Sequence, residues 1–195
     1  MKIFFIIISA LVFIFIVVQI FVMSSQQGIE TYRYELIKKY KDIEIRKYEA
    51  SLFTSVELST NRYEEASGAG FSILASYIFG GNDKKEKIAM TSPVSISLDE
   101  SMTMMFMVPR DLKKEDLPRP DKGNIEFKEI PEKTVAAISF GGWANSEKIE
   151  KYKVKLKAAL DAEGIAYTNK YYFLGYNAPF EVINRKNEII VELVQ

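Results

Sequence analysis

The sequence predicts an α+β protein: a curled antiparallel sheet of about eight strands carrying two helices, built by duplicating one βαββ unit and preceded by one transmembrane helix. Three observations lead there. Segment 42–58 (DIEIRKYEASLFTSVEL) returns 82 residues later as NIEFKEIPEKTVAAISF. Segment 87–108 is echoed by 173–194 at an offset of 86, pairing Pro93 with Pro179, Ile96 with Val182 and Val108 with Val194. The chain also opens on IFFIIISALVFIFIVVQIF (3–21), which has no charge and only Ser9 and Gln19 as polar interruptions.

That opening run is long enough to span a bilayer core of about 30 Å as a helix. It exceeds the roughly 7–15 apolar residues of a cleaved signal, although Val22 and Ser24 offer a weak small-x-small site. Residues 1–27 are therefore expected to be an uncleaved signal anchor and short linker, with a removed signal as the alternative. Lys2 before the run favours a single-pass topology with the domain, 28–195, on the extracytoplasmic side.

In the first repeat, Ile43 and Ile45 alternate with Glu44 and Arg46, and Leu52, Thr54 and Val56 continue on one face. Thr60 or Asn61 can cap a helix over Arg62–Phe79, which Gly80-Gly81-Asn82-Asp83 ends. Its counterpart runs over Ser146–Glu163, capped by Asn145 or Ser146, with Ile149, Tyr152, Leu156 and Leu160 at helical spacing. Strand pairs follow: Ala89–Ser97 with Met102–Val108, then Tyr171–Gly175 and Phe180–Ile183 with Glu188–Val194. The four extra residues of the second half are expected between Phe140 and Phe173, some of them near Gly141-Gly142-Trp143. Arg110–Gly123, charged and proline-punctuated, reads as the connection between halves.

Composition removes whole classes of chemistry. Lys plus Arg and Asp plus Glu are both 26, so no net field draws the chain to nucleic acid. There is no cysteine, which excludes disulfides, thiolate metal sites and cysteine nucleophiles. There is no histidine, which excludes a Ser-His-Asp triad, histidine-ligated zinc and an axial histidine on haem.

Several pieces, in order, resemble the signature of the SOUL haem-binding family. They are Tyr77-Ile-Phe-Gly-Gly-Asn82, then Lys87-Ile-Ala-Met-Thr-Ser-Pro93-Val94, then Met104-Met-Phe-Met-Val-Pro109. Upstream stand Tyr34-Glu35-Leu36 and Ile43–Tyr48; downstream stand Phe140-Gly141-Gly142-Trp143 and Gly175–Phe180. The resemblance covers roughly 32–192, the whole domain after the anchor. It implies a distorted antiparallel barrel of repeated βαββ units that binds haem or another porphyrin non-covalently in a shallow apolar groove beside the first helix. Members that use an axial histidine have no counterpart here. The mode that remains rests on apolar and ionic contacts.

The segment NRYEEASGAGFSILASYIF (61–79) supplies the candidate groove, since it carries no charge between Glu65 and Asp83. Its small stretch Ala66–Gly70 suits either a planar ligand or close helix-on-sheet packing. The expected cofactor-binding residues are Arg62, Tyr63, Ser67, Gly70, Phe71, Leu74, Met90, Tyr176 and Arg185, with no catalytic and no metal-ligating residue. Arg62 and Arg185, with Lys84, Lys170 and Lys186, are the cations available to propionates. Met90 and the tyrosines are thioether and phenol candidates for iron, though core packing explains each. Glu188 with Glu192, or Glu64 with Glu65, are candidate acid–base pairs that no spacing demands.

The function expected is a membrane-anchored haem or porphyrin carrier, buffer or sensor without histidine ligation. The alternatives are a barrel module for another hydrophobic small molecule, as in bacterial effector-binding domains, and an enzyme acting on such a ligand. The expected partners are the tetrapyrrole and the lipid bilayer, with no nucleic acid.

Overall fold

The repeat becomes a pseudo-dyad in the sheet. The computed structural model describes residues 2–25, 28–178 and 181–194. Strands β3 (Glu44–Tyr48) and β4 (Ser51–Glu57) are matched by β8 (Glu126–Ile130) and β9 (Lys133–Gly141) at the 82-residue offset. Each unit lends its first strand to the other: β3 pairs with β9, and β8 pairs with β4. Each unit then adds a helix, α2 (Tyr63–Ile78) or α3 (Ser146–Ala162). Two strands complete it, β6 (Val94–Ser97) with β7 (Thr103–Met107), or β10 (Tyr167–Gly175) with β11 (Lys186–Leu193). The halves join where β6 pairs antiparallel with β10, with Ile96 opposite Phe173.

With β2 (Tyr34–Lys39) added, the sheet has nine strands in the order β2-β3-β9-β11-β10-β6-β7-β4-β8. A small parallel pair, β1 (Glu30–Thr31) with β5 (Thr91–Ser92), straps the N-terminal side of the domain. The α+β class and the antiparallel sheet stand, but the sheet is open: β2 and β8 are its two ends, and no ladder joins them among the described residues. Three helices are present in place of two in the domain plus a membrane span.

The third is α1 (Lys2–Ser25), whose described side chains from Phe4 to Val18 are exposed. Its Gln19 is buried and accepts a hydrogen bond from the Val182 N–H at 3.2 Å, so this polar residue serves as a docking point on the domain. Among the described residues no helix is long and apolar enough to cross a membrane. The expected transmembrane signal anchor is corrected accordingly. The single-pass localisation and its extracytoplasmic placement go with it.

The second-pair register is also corrected. The ladders match Met107, opposite Phe53, with Glu192, opposite Val135. Phe53 and Val135 occupy the same place in the repeat, so the match falls one residue from the sequence alignment. Ile96 corresponds to its own ladder partner Phe173, not to Val182. Residues 181–183 form no strand, and Pro179 and Phe180 lie outside the described residues. The second half's extra residues sit in the long β10–β11 connection (176–185), where Arg185 donates to the Ala178 and Glu181 carbonyls and Lys186 N–H to Asn177.

Alternation divides the sheet's two faces. Ile43, Ile45, Val56, Met104, Phe106, Ala136, Ile138, Phe140, Phe173, Ile189 and Val191 face the helices and form one core with Ala66, Leu74, Leu156 and Leu160. Tyr48, Phe53, Met105, Met107, Val135, Ala137, Leu174 and Ile190 form a second cluster on the opposite face, which Tyr32 covers.

Candidate functional site

The local sequence of α2 gives it two unlike sides. Ala66, Gly70, Leu74, Tyr77 and Ile78 recur at helical spacing and are buried on the sheet. Gly68, Ala69, Ser72, Ser76 and Phe79 point outward, and Phe79 is 62% exposed. No residue between Glu65 and Asp83 brings a charge to that outer side. The helix starts without a side-chain cap on its own N-cap residue, Arg62; Thr60 accepts the Arg62 N–H at 3.1 Å and donates to Glu65 at 2.8 Å instead. At the far end, Gly81 is required: a Cβ there would lie 2.6 Å from the Ser76 carbonyl oxygen.

The two glycines of the small stretch have different causes. A Cβ on Gly70 would come 2.9 Å from Leu58 Cδ1 and 3.0 Å from Met104 Cβ, so Gly70 lets the helix approach the sheet. A Cβ on Gly68 would meet nothing within 4 Å. Glycine costs a helix about 1 kcal/mol against alanine. Packing explains that cost at Gly70 and not at Gly68.

The remaining expected residues divide between the core, the α2 surface and the far face of the sheet. Leu74 is a core residue, packed with Gly70 beneath the helix. Phe71 is half-buried against Phe106, centroids 5.5 Å apart. Met90 lines a small cavity with Ile78, Ile88 and Phe106. Ser67 is half-buried and donates to the Glu64 carbonyl at 3.3 Å. Arg62 is exposed and paired with Glu65 at 2.9 Å. Tyr63 stands edge-on to Phe173 at 4.9 Å, and burial raises its pKa, a rise that the nearby Arg185 charge opposes. Arg185 lies 3.9 Å over the ring of Trp143, itself 55% exposed. Tyr176 faces away from the helices altogether.

Around Tyr176 the structure assembles a network that sequence reasoning did not find. The fully buried Glu188 accepts Arg46 Nη1 at 2.8 Å, Arg46 Nη2 at 3.0 Å, Ser139 Oγ at 2.8 Å and Tyr176 Oη at 2.6 Å. Lys186 adds an ion pair at 3.1 Å. Burial alone would push the Glu188 carboxyl up, but the hydrogen bonds and charge of Arg46 hold it down at about 2. Burial raises Tyr48 to about 12 and pushes Tyr176 further up. Four residues further along β11, on the same face, Glu192 accepts Lys133 at 3.0 Å and Tyr172 at 2.9 Å. Its burial is likewise outweighed by Lys133, and its pKa is lowered. These carboxylates are ionised and occupied by donors, which leaves neither free to take a proton near neutral pH. Glu188 and Glu192, four residues apart and so on one face of the strand, carried a signal in the sequence; Arg46, the partner of Glu188 142 residues away, did not.

The fold defines a class, duplicated βαββ domains with both helices on one face of an antiparallel sheet. Within it the chain belongs to the SOUL haem-binding family: the family described as SOUL heme-binding protein matches residues 29–192. The chain is 31% identical over 155 residues to "Heme-binding protein 2" of Homo sapiens, covering 75% of each. It is 30% identical over 175 residues to "Heme-binding protein 1" of Xenopus laevis, covering 83% of this chain and 91% of that one. Among solved structures, the EcmrR C-terminal domain superposes with a TM-score of 0.61 at 13% identity, over 83% of this chain and 98% of that chain. A hydrolase from Listeria innocua superposes with a TM-score of 0.53 at 10% identity, over 81% and 94%. These last two likenesses show the fold alone.

Proposed function

We propose that this chain binds haem or a related porphyrin non-covalently on the outward side of α2, without histidine ligation, and acts as a carrier, buffer or sensor with no chemistry of its own. The family supplies the ligand class. The observation that supports the location is Gly68: a helix glycine with open space at its Cβ position, in a stretch free of charge. A flat, uncharged helix side lets a planar ring approach the backbone and remove water from both surfaces. The exposed Phe79 extends the apolar area at the helix end. Arg62 at the helix start offers a cation to a propionate, in exchange for its exposed pair with Glu65. Bound haem would supply a redox-active iron and a conjugated plane. The chain's own part is to bind, orient and shield. The donors held by Glu188 and Glu192 support a structural reading of that carboxylate pair.

A cleft for another small molecule on the opposite face is less well supported. Tyr32 fills it, with its ring 4.4 Å from Tyr48 and 5.2 Å from Phe53. The test is titration of the full-length chain with haem and with protoporphyrin. A Soret shift and quenching of Trp143 fluorescence at micromolar ligand are expected. No spectral change with either ligand would contradict the proposal.

A further inference from the structure

The pseudo-dyad gives α3 an outward side equivalent to that of α2, and the two have diverged. Aligning the first buried positions, Ala66 with Ile149, and the last, Tyr77 with Leu160, sets Ala69, Ser72 and Ser76 where α3 has Tyr152, Lys155 and Ala159. On α3 that side opens into a groove of about 590 Å³ lined by Asp42, Ile138, Ser139, Tyr152, Lys155 and two alanines, Ala158 and Ala159. A second hollow of about 340 Å³ shares Asp42 and Ser139 with it and reaches Lys39 and Lys41. We infer that this groove is a ligand site for a fatty-acid-like carboxylate, distinct from the porphyrin side of α2.

Size and chemistry both point there. Small-molecule sites are typically about 300–1,000 Å³ with a few convergent polar groups, and here Asp42, Ser139 and Lys155 supply polar walls around Ile138, Ala158 and Ala159. The floor is apolar and rigid: Tyr152 stacks on Phe140 with centroids 4.4 Å apart and planes at 15°. Ile138 is buried in the main core beneath it. Above the floor, the Lys155 ammonium stands 5.0 Å over the Tyr152 ring. Lys41 adds positive charge at the far end. Of the two acids, Glu44 is committed to Arg46 at 2.6 Å and to Lys39 at 3.3 Å, which removes Lys39 from the balance with it and leaves Asp42 against Lys155 and Lys41. The balance favours an anion. An apolar body on the floor with a carboxylate at Lys155 satisfies both parts of the groove.

The test uses the full-length chain and the fluorescent fatty acid dansylaminoundecanoate. Saturable fluorescence enhancement at micromolar probe is expected. Ala158→Trp, at an exposed position that fills the groove, is expected to abolish it. Lys155→Glu is expected to weaken it about tenfold, the size of one lost charge-assisted contact. Lys113→Glu, in the connection between halves, is expected to leave it unchanged. The uncharged amide of the same probe is expected to bind about as weakly as the acid binds Lys155→Glu. Absence of saturable binding to the unmodified chain, or binding that survives Ala158→Trp, would overturn the inference. Circular dichroism of each variant separates loss of the groove from loss of the fold. The result is independent of the haem titration, which concerns α2.

Discussion

The two halves of the domain share their packing and differ in where they put charge. In the first half, α2 is uncharged beyond its first turn and β7 presents Thr103, Met105 and Met107 to the face opposite the helices. In the second half, α3 is rich in lysine and β11 places Glu188, Ile190 and Glu192 at the matching points of the ladder. Repeated positions, such as Ala66 with Ile149 or Phe53 with Val135, hold the fold. Positions that have diverged are the ones packing leaves free, and these carry the candidate sites. The exchange of first strands binds the halves together, since Arg46 belongs to the first repeat and neutralises Glu188 in the second.

Breaking that exchange is the severest test of the comparison. Arg46→Met should destabilise the protein by about 3–5 kcal/mol in urea unfolding, because a buried carboxylate loses its bidentate partner. Among the described residues Lys128, the repeat counterpart of Arg46 on β8, pairs with exposed Glu126 alone, at 3.4 Å. Lys128→Met should therefore change stability by less than about 1 kcal/mol. Equal effects would mean that the halves are not electrostatically distinct.

The same asymmetry predicts the acid limb of stability. The folded-state pKa of Glu188 lies at about 2, below the ordinary carboxylate value near 4.5. Its stabilisation is therefore fully present above the unfolded value and is lost as pH falls from there toward 2. The loss is on the order of 3 kcal/mol. Unfolding free energies measured between neutral pH and pH 2 should fall steeply in the unmodified chain and less so in Glu188→Gln.

Smaller effects sharpen the division within α2. Gly70→Ala should cost about 1–2 kcal/mol, because the new methyl meets Leu58 and Met104. Gly68→Ala should stabilise by about 1 kcal/mol, with no neighbour to resist it. Thermal unfolding of both variants checks the pair. If Gly68→Ala were destabilising, the open helix side would be a misreading.

Much of this organisation was legible in the sequence where alternation and repetition coincide. The offset that matched Ile43 with Ile125 also fixed β3, β4, β8 and β9. Asn145 was recognisable as a cap, and it accepts the Lys148 N–H at 2.8 Å. β2 escaped because it is an edge strand, exposed at all six positions, with no buried side to impose a pattern. The repeat suggested a strand over Phe180–Ile183, but residues 181–183 form none, and β10 begins earlier, in the polar stretch at Tyr167. The apolar opening run predicted a membrane span by length and composition, and the docking of Gln19 on Val182 was invisible from either. At the candidate site, spacing singled out α2 but could not separate Gly70 from Gly68. That distinction depends on Leu58 and Met104, which come from distant strands.

The most direct measurement is a paired haem titration of two full-length variants, Ser72→Glu on the outward side of α2 and Lys157→Glu on α3, followed by the Soret band. A carboxylate placed on the uncharged side should weaken binding at least tenfold, while the α3 variant should bind as the unmodified chain does. Unchanged binding by Ser72→Glu, with loss in Lys157→Glu, would put the tetrapyrrole on the other half and contradict the account.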